Sequence, residues 1–464
     1  MAHIVCITGG LIGMLNASFA LVKQLEQAGH RVTYASPAKL REPVTAQGIP
    51  YVQLDPWIIQ SGDPPISRWQ KWRTLRERQQ RAVSALGVQN LVQTIRDLTP
   101  DLLLIDMEMH PHIMAAVTSQ FSVVLLCQFL SIWQRPHLPP IHTNIVPGKG
   151  LSGQRLAIEW SWWRYSWRKW RESQRERWRR MGIDRVSILR RYARQIGYPW
   201  RSRSDQWLMP YPHDALPILC FNALELDFSH TPHPSMHYVG PMVLENRQES
   251  KVEPATEATL AQLFASSGER SLIYCACSTF VKTDQRFLQR LIEAVSACPQ
   301  WDLILGLGGK LSPGELLDLP ANVHAFSWVP QLQVLQHTDC AVNNGGINSI
   351  NECLHFGVPM LVYSLKQFDQ DGNAARVAYH GLGIAGDIVQ DQAGQIRQHI
   401  QTLLTDRSYK QQSEHMRESC HRYTHENRAA RSVESLLGSQ QSTQPHDLFV
   451  VSNLSGEGSH HAKR

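Results

Sequence analysis

The residues best placed to do chemistry lie in one stretch, WVPQLQVLQHTDCAVNNGGINSINECLHFGVPMLVYSLKQFDQDGNA, from Trp328 to Ala374. Within it Asn343–Asn344–Gly345–Gly346 follows a short apolar run, and helical spacing begins at Ile347. A glycine turn that opens a helix exposes backbone N–H groups and the positive end of the helix dipole, which suits a diphosphate. Gly345 and Gly346 let the backbone come close, while Asn348 and Ser349 add side-chain donors. One turn further on, Glu352 can accept from ribose hydroxyls. The indole of Trp328 is a stacking platform for a base, and the Asp369–Gln370 pair suits vicinal sugar hydroxyls. Taken singly, each feature also fits a plainer role as a tight strand–helix connection, a core tryptophan or a polar turn.

Taken together, the stretch resembles the signature of the family 1 glycosyltransferases, UDP-sugar-dependent enzymes of the GT-B fold. Their pattern is approximately W-x-P-Q, then H-x-G-x-N-S-x-x-E, then G-V-P, then D-Q-x-x-N-A. The matching residues are Trp328, Pro330 and Gln331; Gly346, Asn348, Ser349 and Glu352; Gly357, Val358 and Pro359; and Asp369, Gln370, Asn373 and Ala374. The resemblance implies that Trp328 stacks on uracil and Gln331 contacts base or ribose. It gives the ribose hydroxyls to Glu352, the phosphates to Asn348 and Ser349, and the sugar to Asp369 and Gln370. It also implies inverting transfer of a hexose from a UDP-sugar to a hydroxyl of a lipophilic small molecule. The donor is a substrate, and neither a metal nor a further cofactor is called for, because the helix dipole and its donors can stabilise the leaving diphosphate.

Three positions depart from the family pattern. Asn344 stands where the signature histidine contacts the diphosphate; it keeps a donor but cannot carry positive charge. The run Ile273–Thr279 is similar to V-Y-V-S-F-G-S but has Ser278 in place of glycine, so Ser278 and Thr279 either crowd the diphosphate or donate to it. The family's catalytic histidine, counted back from the Gly29–His30 pair, falls on Met14, and a thioether cannot take a proton near neutral pH. Its partner Asp106 survives at the end of a strand, followed by Glu108, His110 and His112. Asp106 and His110 are therefore the candidate substitute bases, unless the acceptor is acidic enough to need none. The rival expectation is a non-catalytic GT-B protein that binds a nucleotide sugar or serves as a partner subunit.

Positioning these residues requires two sheets. Strand-like runs at His3–Thr8, Arg31–Ala35, Asp101–Ile105 and Ser122–Cys127 alternate with helical segments, and a helix-period run from Ala17 ends at Gly29. The pattern restarts at Ser271–Ala276 and continues through Asp302–Leu307, Val323–Phe326, Cys340–Asn343 and Pro359–Tyr363. Apolar strands separated by helices predict parallel sheets covered on both faces. The expected fold class is α/β, with two doubly wound, Rossmann-like domains facing each other across a cleft. The predicted boundaries are 1–240 for the acceptor domain, 241–268 for a linker, 269–438 for the nucleotide-sugar domain and 439–464 for a disordered tail.

Composition narrows the classes further. Apolar residues are 42 % and charged residues 19 % of the 464, ordinary for a globular protein of this length. No apolar window is long enough to span a bilayer. The N-terminus lacks the marks of a signal peptide and the nine cysteines are scattered, so a cytoplasmic location is expected. The net charge of +6 is local: residues 157–181 hold eight basic side chains against three acidic ones, so nucleic-acid binding is not inferred. Gly308–Gly309–Lys310 lacks P-loop spacing, and the His460–His461 pair has no partner ligands.

That same segment carries Trp160, Trp162, Trp163, Trp167, Trp170 and Trp178. On a helix all but Trp162 fall within an arc of about 80°, flanked by Arg164, Arg168, Arg171 and Arg175. Three readings follow: peripheral contact with a membrane, a wall of the acceptor groove, or a tryptophan face packed on its own domain.

Overall fold

The apolar runs read from the sequence become strands of two parallel sheets in the computed structural model, which describes residues 1–10, 12–57, 67–201, 205–248, 252–265, 268–277, 284–316 and 319–442. The first sheet contains β1 (His3–Ile7), β2 (Arg31–Pro37), β3 (Tyr51–Leu54), β4 (Leu102–Asp106), β5 (Val123–Cys127), β6 (Ile218–Cys220) and β7 (Met236–Tyr238). Its order is β3-β2-β1-β4-β5-β6-β7. The second contains β8 (Ser271–Ala276), β9 (Trp301–Gly306), β10 (Val323–Phe326), β11 (Cys340–Asn343), β12 (Met360–Val362) and β13 (Gly383–Ala385), in the order β10-β9-β8-β11-β12-β13. Neighbouring strands in both sheets pair in parallel.

In β1, β4 and β5 every residue is buried, as helices on both faces require. Alternate side chains divide between two apolar layers. Val5, Ile7, Leu103 and Ile105 face one, while Ile4, Cys6, Leu102 and Leu104 face the layer beneath the Ile12–Gln27 helix. Strand order reverses between β1 and β4 in the first sheet and between β8 and β11 in the second. Ligands of doubly wound folds sit outside the carboxyl ends of the strands at such reversals. There stand Gly9 and Asp106 on one side, and the Asn343–Gly346 turn on the other.

Two boundaries differ from the expectation. The 241–268 stretch is more than a linker, because Pro254–Ala265 is helical and Leu260 is buried. The chain also does not end within the second domain. The Arg428–Ser442 helix returns to pack on the Ile12–Gln27 helix, and Ala429, Ala430 and Val433 join that helix's apolar layer. The proposed tail therefore starts as helix, and its residues after 442 lie outside the described ones. Strands β3, β6, β7 and β13 have four residues or fewer and gave no clear period in the sequence.

Candidate active site

Gly345 has φ +78, the left-handed region that favours glycine, and a Cβ there would lie 2.9 Å from the Gln370 carbonyl oxygen. The Gly345 N–H donates to Asn343 Oδ1 at 2.8 Å, closing the turn. Gly346 then caps the Ile347–Phe356 helix, with Asn348 and Ser349 in its first turn and Asn344 half-buried just before it. Asn373 braces the turn from the neighbouring helix, since its Nδ2 donates to Gly345 O at 3.0 Å and to Asp369 Oδ2 at 2.9 Å. Asp369 is thus tied to the glycine turn. Gln370 is fixed in the same way, accepting from the Leu365 N–H at Oε1 over 3.0 Å. Burial pushes the Asp369 carboxyl up to about 6, while its bond from Asn373 and the Arg376 guanidinium act in the opposite direction.

The residues around Trp328 and Glu352 are equally connected. Trp328 is half-buried, and its indole lies so close over Gly309 that a Cβ there would come within 2.7 Å of Cζ2. Gln331 opens the next helix and donates through Nε2 to Glu352 Oε2, while its Oε1 accepts from the Tyr274 hydroxyl at 3.0 Å. Arg247, from the stretch expected to be a linker, reaches Glu352 Oε1 at 3.0 Å. Two candidates, Ser278 and Thr279, lie outside the described residues.

Opposite this turn, the β1–β4 reversal presents a different surface from the one expected at Met14. Met14 is 1 % exposed and belongs to the apolar layer under its own helix, so its thioether packs in the core. Gly13, in the first turn of that helix, faces the second domain, where a Cβ would fall 2.3 Å from Asn348 Nδ2. Gln128, just past β5, accepts from that same Nδ2 at 3.1 Å and so bridges the two domains.

Asp106 ends β4 beneath Gly9. Its carboxylate accepts from Glu108 N at 3.1 Å and from Gly9 N at 3.4 Å. Burial above all, and then the charge of Glu108, push this carboxyl up to about 7, despite the two N–H bonds. A carboxyl raised this far can exchange a proton near neutral pH.

His110 is a weaker candidate. It is buried, its Nδ1 bonds His213 Nε2 at 2.9 Å, and His213 Nδ1 meets the Tyr198 hydroxyl at 2.8 Å. Desolvation, reinforced by His213 and Arg185, holds it well below the usual histidine range, so it is neutral and weakly basic. His112 lies fully buried, edge-on to Trp57 at 5.8 Å, and burial lowers it to about 3.

Between the domains opens a cavity of about 1130 Å³. Glu108 and His110 line it beside Met107, Ile145, Trp207 and Leu208 of the first domain, with Phe368 and Ala374 of the second opposite. The Arg155–Arg180 helix forms part of its wall through Arg164, Tyr165, Arg168 and Lys169.

Residues 301–436 match the family described as Erythromycin biosynthesis protein CIII-like, C-terminal domain. The chain is 26 % identical over 396 residues to the oleandomycin glycosyltransferase of Streptomyces antibioticus, covering 84 % of this chain and 80 % of that protein. It is 24 % identical to the NDP-glycosyltransferase YjiC of Bacillus subtilis, across 94 % of this chain and 97 % of YjiC. These matches support a family 1 glycosyltransferase of GT-B fold. The fold agrees with solved structures. The glycosyltransferase of kitacinnamycin superposes with a TM-score of 0.65 at 22 % identity, over 94 % of this chain and 98 % of its own. The glycosyltransferase VinC in complex with dTDP gives 0.61 at 16 %, over 96 % and 100 %.

This glycosyltransferase also holds its two domains together through contacts that no motif announces. Asn351 Nδ2 donates to Asn222 Oδ1 at 2.9 Å and to Phe221 O at 3.2 Å. Arg376 Nε donates to Asp227 Oδ1 at 2.7 Å with both side chains fully buried. These partners come from opposite halves of the chain, and only the fold could have paired them.

Proposed function

We propose that the enzyme transfers a hexose from a UDP-sugar to a hydroxyl of a lipophilic small molecule with inversion, using Asp106 as general base. The observation that carries this reading is the pair of facing strand reversals. One presents a glycine turn and helix N-terminus of the kind that suits a diphosphate; the other holds a buried carboxyl raised toward neutrality. The nucleotide lies with its base on Trp328 and its ribose hydroxyls on Glu352, which Gln331 and Arg247 hold in place. The diphosphate meets the Gly345–Ser349 turn, and Asp369 with Gln370 holds the hexose. The apolar flank of the cavity receives the acceptor, with its hydroxyl directed toward Asp106, which lies behind Gly9 and the Trp57 indole, so the indole must move aside for the proton to pass.

In the chemical step the acceptor oxygen forms a bond to the anomeric carbon as the bond to the diphosphate oxygen breaks. The acceptor proton passes to Asp106, and UDP leaves with the bonding electron pair toward the helix N-terminus, whose N–H groups and dipole stabilise it. Anions bound at a partly buried helix start gain up to about 2 kcal/mol. A direct displacement from one face inverts the sugar, so an α-linked donor gives a β-linked product. Incubation of UDP-glucose with a panel of lipophilic alcohols and phenols, followed by NMR of the product's anomeric proton, tests this. A β-glucoside is expected. An α-glucoside, or free glucose as the sole product with every acceptor, contradicts it.

A further inference from the structure

The tryptophan stripe of the Arg155–Arg180 helix does not pack on its own domain. Trp160, Trp163, Trp167, Trp170 and Trp178 are 45 to 69 % exposed, whereas Ile158, Trp162 and Tyr165 are the buried residues of this helix. The anchors are specific: Trp162 Nε1 donates to Leu138 O at 2.7 Å, and the Tyr165 hydroxyl donates to Trp207 O at 2.8 Å. At about 100° per residue the buried face lies roughly opposite the exposed stripe. The helix is therefore held by one side and shows solvent a row of indoles.

Charge is sorted around the same axis. A sector of roughly 160° running from Trp170 through Trp160 to Arg168 holds all five exposed indoles and Arg164, Arg168, Arg171 and Arg175. It holds no acidic residue. The helix's glutamates lie outside that sector, and each has a basic neighbour on the same helix: Glu159 with Arg155 at 2.9 Å, Glu172 with Lys169 at 3.6 Å and Glu176 with Arg180 at 2.7 Å. Guanidinium groups stack on the indoles, Arg164 over Trp160 and Arg171 over Trp167, both at 5.1 Å to the ring centre.

The surface continues past the end of the helix. Arg68 lies 4.2 Å over Trp178, and the short helix it opens adds Trp69 and Trp72, both more than half exposed. Beside Trp178 is a groove of about 1060 Å³ lined by Arg68, Arg177, Arg190, Arg191 and Arg194. No acidic residue is among the described residues that line it.

We propose that this face is a docking surface for an anionic phospholipid bilayer, with the indoles at headgroup depth and the arginine groove on lipid phosphates. Indole rings favour the membrane–water interface. Basic side chains beside an apolar stripe are the mark of a helix that lies in the interfacial plane. At 26 residues the helix offers a contact about 39 Å long. Among the described residues no helix is long and apolar enough to cross a membrane, so contact through this helix would be peripheral. Arg164, Tyr165, Arg168 and Lys169 also line the interdomain cavity, so docking places the mouth of that cavity beside the lipid. A sector free of acidic residues favours lipid phosphates over a second copy of the chain, whose matching face would bring arginine against arginine.

Co-sedimentation of the full chain with phosphatidylcholine vesicles, with and without phosphatidylglycerol, tests the proposal independently of any transferase assay. Binding only to the mixed vesicles, weakening with added salt, is expected. The triple variant Trp163→Ala, Trp167→Ala, Trp170→Ala should lose at least ~tenfold in vesicle affinity, a change of about 1.4 kcal/mol. Arg177→Gln with Arg190→Gln and Arg194→Gln should weaken binding and flatten its salt dependence. Both variants should keep the thermal unfolding midpoint and UDP affinity of the parent. No binding to phosphatidylglycerol vesicles, binding untouched by the tryptophan changes, or a lipid-independent dimer that the tryptophan changes dissolve would each overturn it.

Discussion

Replacing Asp106 by Asn is expected to lower turnover by about 10²–10⁴-fold, the usual contribution of a positioned base, and to stabilise the fold above neutral pH. The two effects share one cause. The carboxyl is 3 % exposed and is pushed from the usual 3.8 to about 7, chiefly by burial and then by Glu108. Because its folded-state pKa lies above the unfolded value, folding takes up a proton between those two pH values. The associated stability is fully present below about 3.8 and is lost as pH rises through about 7. A tenfold change in proton affinity corresponds to about 1.4 kcal/mol, so ionised Asp106 costs the native state a few kcal/mol at pH 8 that a neutral amide does not. The turnover of the parent should rise with pH through about 7 and then level off. Urea melts at pH 6 and pH 8, set beside turnover–pH profiles, measure both effects. Parental turnover in the Asp106→Asn variant would exclude Asp106 as the base. Loss of turnover with lowered stability at pH 8 would show a structural role instead.

The second large effect is expected far from any reacting atom. Arg376→Ala strands Asp227 in the domain interface, where both side chains are at most 1 % exposed. Asp227 also accepts from Ser131 N at 3.1 Å and Phe228 N at 2.8 Å, so this one carboxylate organises two backbone segments of the first domain. The Arg376 guanidinium lies 4.4 Å over Phe228 as well. Breaking a buried pair by removing one partner costs about 3–5 kcal/mol, because the other charge remains buried. Urea unfolding of Arg376→Ala should show a loss of that size. The double variant Arg376→Met, Asp227→Asn should recover much of it, since no lone charge is left. A single variant within about 0.5 kcal/mol of the parent would mean that the pair does not hold the domains.

What was legible in the sequence follows from locality. The donor segment reads well because Gly345, Gly346, Asn348, Ser349, Glu352, Asp369 and Gln370 belong to two consecutive strand–turn–helix units, where spacing along the chain fixes spacing in space. The long inner strands were equally visible as continuous apolar runs, and Gly29 ends its helix region with φ +86. The three-residue strands β6 and β7 are too short to show a period, and they form by pairing with β5 and with each other. Contacts across the cleft were hidden for another reason. Gln128 with Asn348, Arg247 with Glu352 and Asp227 with Arg376 are more than a hundred residues apart. The Trp/Arg helix was legible as a helix, but which face it buried was not. Its anchors are Trp162 and Tyr165, hydrogen-bonded to loops, while the more numerous tryptophans remain outside. Counting along the chain puts Met14 at the family's histidine position, but only the packing of its helix shows that Met14 faces the core and Gly13 faces Asn348.

The central claim is that the β8–β11 reversal is a working UDP-sugar site with Glu352 reading the ribose. Calorimetric titration of UDP and dTDP into the parent and into Glu352→Gln tests it most directly. Gln keeps the shape and leaves an acceptor for Arg247, so the fold should persist. UDP should bind the parent tighter than dTDP by roughly tenfold or more, because hydrogen bonds to a charged acceptor contribute about 1.5–3 kcal/mol and dTDP lacks one ribose hydroxyl. In Glu352→Gln that preference should fall to near unity, with dTDP affinity less affected. No saturable binding of either nucleotide, or a preference that the substitution leaves unchanged, would contradict the account.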